Sequence, residues 1–129
     1  MAGNEKVRVG IIGCGGMAEQ HLPGLSRFED VELVGFCDVV AEKARALAAK
    51  HGAPAFSDPA ELIRETGPQL VYILLPPFAH GEAEQAALEA GVPFFVEKPI
   101  GNDLALLREI AQEVKAKNLL TAVGYMNRY

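Results

Sequence analysis

No run of basic residues occurs anywhere in the chain: its 12 Lys and Arg are scattered among 17 Asp and Glu, for a formal charge of −5. A nucleic-acid partner is therefore not expected, because phosphate backbones need a concentrated basic face. No stretch approaches the roughly 20 apolar residues of a membrane span, and no charged-then-apolar leader opens the sequence. The two cysteines, Cys14 and Cys37, are far apart and lack metal-ligand spacing, so a reducing, cytoplasmic setting is the simplest expectation. Repeats, low-complexity segments and internal linkers are all missing, and the 129 residues suit one domain.

What is present is a set of short apolar runs: residues 6–12, 31–37, 69–75, 92–96 and 119–124. Rich in Val and Ile and flanked by Gly or charge, they suit strands covered on both faces, as in a parallel sheet. A sixth, short strand is expected at 54–56. Helical periodicity fills the gaps. Val40, Ala44, Leu47 and Ala48 share a face over 40–51, and Gly52 is placed to end that helix. Leu104, Leu107, Ala111 and Val114 do likewise over 103–117. Asp58-Pro59-Ala60-Glu61 has the form of a capping box with proline at the first helical position, predicting a helix over 59–66. Another runs from Ala79 to Ala90, before Gly91. The first helix, about 16–27, contains Pro23, which should kink or shorten it. Strands alternating with helices predict an α/β fold: a doubly wound parallel sheet of six strands with helices on both faces. Joined to the dinucleotide pattern that follows the first strand, the expected strand order is 3-2-1-4-5-6.

Directly after the first strand comes Gly13-Cys14-Gly15-Gly16-Met17-Ala18, a G-x-G-x-x-A pattern opening a helix. Gly13 allows a sharp turn, Gly15 lets a pyrophosphate approach the backbone, and Ala18 lets the helix sit close to the sheet. Amides from about Gly16 to Ala18 then face an anion at a helix N-terminus. A glycine-rich turn that binds nothing is the plain alternative. Asp38 ends the second strand 20 residues after Ala18, where the ribose-binding acid of a dinucleotide site is expected. It would repel a 2′-phosphate, and no Arg follows at 39–42, so NAD is favoured over NADP. Asp38 could equally cap the following helix, or do both.

In such a sheet the nicotinamide half of a dinucleotide lies over the ends of strands four and five. Those ends are Leu75-Pro76-Pro77 and Glu97-Lys98-Pro99. Lys98 there could polarise a substrate oxygen, and Glu97 could orient Lys98 or bind the nicotinamide ribose. A solvated Glu-Lys pair is the bland alternative. His21, within the first helix, and His51, at a helix end, read as packing or surface residues, whereas His80 could reach the cofactor. Cys14 and Cys37 read as small apolar groups beside the first two strands.

The segments VGIIGCGGMAEQHL, FCDVV, LLPPFAH, EAGVPFFVEKPIG and VGYMNRY together resemble the N-terminal domain of the glucose-fructose oxidoreductase/inositol dehydrogenase (Gfo/Idh/MocA) family. The resemblance spans essentially the whole chain, and EKP after the fifth strand is its most specific element. It implies an NAD- or NADP-dependent oxidoreductase acting on hydroxyl groups of sugars, inositols or related polyols. By it, Gly13, Gly15 and Ala18 are phosphate-loop positions, Asp38 the ribose acid and Lys98 the catalytic-site lysine. Pro76, His80, Glu97 and Asn127 would line the nicotinamide region. Family members continue into a substrate domain, absent from this chain, so cofactor binding with little turnover is expected. Self-association through the surface that domain would cover is plausible. The competing functional class is a stand-alone NAD-sensing module; a methyltransferase is a weaker third reading.

Overall fold

Six strands lie parallel in one sheet: β1 (Val7–Ile12), β2 (Val31–Cys37), β3 (Ala55–Phe56), β4 (Leu70–Ile73), β5 (Phe94–Val96) and β6 (Thr121–Val123). The computed structural model describes residues 6–97 and 103–123, and strands and helices are counted within these residues. Across the sheet the order is β3-β2-β1-β4-β5-β6, as expected, with the reversal between β1 and β4. Five α-helices cross between strands: α1 (Gly16–Ser26), α2 (Ala41–His51), α3 (Pro59–Thr66), α4 (Glu82–Ala90) and α5 (Leu104–Lys117).

Strand side chains alternate between two cores. Val9, Ile11 and Phe36 pack with Ala18 and Leu22 of α1 and with Ala44 and Leu47 of α2. Ile12, Val71, Ile73, Phe94 and Val96 pack instead under α3, α4 and α5, through Leu62, Leu88 and Ile110 among others. Burial on both faces is why the strands read as continuous apolar runs. Asp58 caps α3 as the sequence predicts: its carboxylate accepts from the Ala60 amide at 3.1 Å, with Pro59 at the first helical position.

Four details differ from expectation. α1 continues through Pro23 to Ser26, so of the kink or shortening expected there the shortening does not occur; Ala18, Leu22 and Leu25 are buried along one face and hold the helix despite the missing amide. The helix expected from Ala79 is broken. A 3₁₀ turn (Pro77–Ala79), an extended His80 and Gly81 at φ 123 come before α4. β5 starts at Phe94 rather than at residue 92, and Pro93, which has no amide, contributes only its carbonyl, to the Val71 amide. Finally, α5 is rotated relative to its expected face: Leu104 and Ala111 are exposed, and Leu106, Ile110 and Val114 point inward.

Candidate functional site

A cleft of about 590 Å³ opens across the carboxyl ends of the strands, at the β1/β4 reversal. That size falls within the ordinary range for small-molecule sites. Gly13 through Met17 form one wall, and Cys37 to Val40 another. Leu74 to Pro76 and Glu97 border the opposite end.

The glycine loop has a definite physical shape. Gly13 turns at φ 101, and a Cβ there would lie 2.5 Å from the Leu74 carbonyl oxygen, so only glycine fits. Its amide donates to the Cys37 carbonyl at 2.8 Å. A Cβ on Gly15 or Gly16, by contrast, would meet nothing within 4 Å. Gly15 precedes α1 with no side-chain cap, which leaves first-turn amides facing open space. Ala18 is fully buried against the sheet, and Met17 packs on the same core. The cradle thus has the room and the donors that a pyrophosphate needs.

Asp38 is tied to this loop. One carboxylate oxygen accepts from the Cys14 amide and the other from the Val40 amide, both at 2.8 Å. The N-terminal boundary of α2 is Val40, without a side-chain cap, so Asp38 closes a short turn before the helix rather than capping it directly. Cys14 and Cys37 are buried beneath, with Cys14 Sγ donating to the Cys37 carbonyl at 3.4 Å. Burial first, then the Asp38 carboxylate, pushes the Cys14 thiol up to about 12. Cys37 reaches about 12 through burial, then Cys14, Asp58, Asp38 and Glu82. Both behave as packed apolar groups, not as nucleophiles.

At the other end, Glu97 is 4% exposed and lines the cleft. His21 of α1 approaches it, with Nε2 2.6 Å from Glu97 Oε2. His80 is also buried. Its Nε2 donates to the Leu75 carbonyl at 2.9 Å, and its Nδ1 lies 2.6 Å from Oε2 of Glu84. His80 therefore braces the β4 exit from behind and is not among the residues lining the cleft. Leu75 is half-buried and Pro76 exposed at that exit; Pro77 begins the 3₁₀ turn. Lys98 and Asn127 lie outside the described residues.

Three charged groups lining the cleft were not read from the sequence as site residues: Lys43 in the first turn of α2, Asp58 at the head of α3 and Glu82 at the head of α4. Their only sequence signal is position, since each starts a helix at the carboxyl edge of the sheet. Among the described residues, no group of three His, Cys, Asp or Glu side chains could hold a metal ion. No helix there is long and apolar enough to cross a membrane.

The family model described as an oxidoreductase family with an NAD-binding Rossmann fold (Gfo/Idh/MocA) matches residues 7–125. The chain belongs to that family. Inositol 2-dehydrogenase of Rubrobacter xylanophilus is 31% identical over 128 residues, covering 98% of this chain and 37% of that protein. Inositol 2-dehydrogenase 1 of Saccharopolyspora erythraea is 34% identical over 127 residues, covering 95% and 38%. Among solved structures, scyllo-inositol dehydrogenase from Lactobacillus casei with bound NAD(H) and scyllo-inositol aligns with a TM-score of 0.87 at 25% identity, over 96% of this chain and 37% of that one. This Gfo/Idh/MocA chain thus spans well under half the length of the relatives it matches.

Proposed function

We propose that this chain binds NAD(H) as the dinucleotide domain of a dehydrogenase acting on a hydroxyl carbon of an inositol, sugar or related polyol. The observation that carries the reading is the uncapped start of α1, open over Gly15 and Gly16, with Asp38 bound to the same loop through the Cys14 amide. In this reading the α1 amides receive the pyrophosphate, Asp38 accepts from the adenosine ribose, and the β4 and β5 exits border the nicotinamide. Bound there, the nicotinamide would supply the hydride acceptor or donor. Glu97 is assigned to orienting that half, and Lys98 to stabilising the substrate oxygen. Inositol dehydrogenases among the relatives support the substrate class. Choice among polyols is assigned to the portion of such enzymes outside the match.

NAD is favoured over NADP on charge. Among the described lining residues, Asp38, Asp58, Glu82 and Glu97 oppose a single cation, Lys43. An extra 2′-phosphate would enter beside carboxylates in a partly enclosed cleft, where repulsion is weakly screened. Two unpaired thiols accord with a reducing, cytoplasmic setting. Calorimetric titration with NAD⁺ and NADP⁺ at fixed salt tests the reading. NAD⁺ should bind at least about tenfold more tightly, a difference of about 1.4 kcal/mol, and Asp38→Ala should narrow the gap. Equal affinities would remove the preference; no binding of either would remove the dinucleotide reading itself.

A further inference from the structure

We infer that His21 is a positioning residue for the nicotinamide end of the cleft, acting through Glu97; this rests on the dinucleotide reading above. His21 sits in α1, the helix whose first turn forms the phosphate cradle. Its ring stands edge-on to Tyr72 of β4 (centroids 5.8 Å apart, planes at 73°) and to Phe95 of β5 (5.5 Å, 64°). Those two rings stack on each other at 4.9 Å. Held by this aromatic pair, the imidazole has Nε2 only 2.6 Å from Glu97 Oε2, in a contact between residues 76 positions apart.

Packing alone would be served by leucine at this place, since the neighbours are two aromatic rings. The Glu97 contact is different. A carboxylate whose side chain is 5% exposed needs a polar partner, and His21 reaches it from the floor of the sheet rather than from the cleft. The Glu97 backbone is fixed as well, its amide donating to the Ile73 carbonyl at 3.0 Å. The side chain at the β5 exit is thereby registered against the same helix that presents the phosphate-binding amides. Both halves of a dinucleotide would be gripped by parts of one rigid element, α1, and His21 is the link between them.

The test compares NAD⁺ with ADP, which carries the adenosine and pyrophosphate but nothing of the nicotinamide half. In His21→Leu, NAD⁺ affinity should fall about tenfold while ADP affinity changes less than about twofold. His21→Gln, which keeps a nitrogen donor at similar reach, should recover most of the loss. Equal weakening of both ligands, or no weakening, would overturn the positioning role. A measurement on the unaltered protein covers the case of poorly folding variants: the His21 ring ¹⁵N resonances should shift on adding NAD⁺ and stay put with ADP. Unmoved resonances with NAD⁺ bound would also overturn it. If neither ligand binds the unaltered chain, the dinucleotide reading fails and this inference with it; if both bind and His21→Leu changes neither, only this inference fails.

Discussion

The two ends of the cleft are built by different physics. At the β1/α1/β2 end, backbone groups predominate: the Gly13 turn, the free α1 amides, and one carboxylate satisfied entirely by main-chain donors. At the β4/β5 end, two histidine–carboxylate pairs, the part-buried His21–Glu97 and the buried His80–Glu84, fix the strand exits through side chains. A backbone-built site depends on where side chains are missing, because bulk would block the ligand or the turn. A side-chain-built site depends on complete pairing, because each buried polar atom left alone carries its full desolvation cost. The first end should therefore fail by added atoms, and the second by removed ones.

The largest effect expected from that contrast is at Gly13. Gly13→Ala adds one methyl at φ 101, 2.5 Å from a backbone oxygen that cannot move without shifting the β4 exit. A loss of about 3 kcal/mol is expected in urea unfolding. A loss under about 1 kcal/mol would mean the loop relaxes freely, and the contrast between the ends would break. Next in size is Glu84. Its Oε2 faces His80 Nδ1 and its Oε1 accepts from the Gly81 amide at 2.8 Å, all in a buried setting. Glu84→Ala leaves His80 Nδ1 and the Gly81 amide without their partner and should cost about 2 kcal/mol. Glu84→Gln should cost less than half of that. Its carbonyl oxygen can keep the Gly81 bond, and its amide can donate to a His80 ring whose Nε2 proton remains on Leu75. Equal costs for the two substitutions would show that shape, not pairing, matters at this end.

The same contrast explains what could be read from the sequence. Gly13, Gly15, Ala18 and Asp38 sit at short, fixed separations because backbone conformation dictates them, so the loop was legible. The parallel, doubly wound sheet was legible from apolar runs alternating with helices, and its order from the dinucleotide pattern after the first strand. The His21–Glu97 pair was not, with 76 residues between its partners. The faint signal was that His21 lies three residues after buried Ala18, on the inward stripe of α1, where a polar side chain needs a partner. The inward face of α5 was misjudged for a related reason. Leucines at 104, 106 and 107 define two possible stripes, and a distant residue selects between them. Gly81, lacking a side chain, leaves room for Leu106, whose Cδ2 lies 2.7 Å from where a Cβ would be. Helix periodicity carries no record of that notch.

The smallest expected effect separates the ends by pH. Beneath the glycine loop lie two thiols, each raised from 9.0 to about 12 chiefly by burial. Their folded pKa lies above the unfolded one, so the neutral form stabilises the fold fully below pH 9. That contribution is lost as pH climbs from 9 toward 12. Tyr72, also raised by burial, adds a similar loss above its ordinary 10.0, so a Tyr72→Phe background is the proper reference. In that background the urea midpoint should fall between pH 8.5 and 10.5, and Cys14→Ala should flatten part of the fall. At pH 7.5 both native thiols should resist alkylation, because almost none of either is thiolate. Rapid native alkylation, or an alkaline fall indifferent to Cys14→Ala, would mean that the ground under the loop is wetter than its packing implies. The loop end would then owe its shape to the Gly13 turn and the Asp38 bonds alone, without a dry base beneath them.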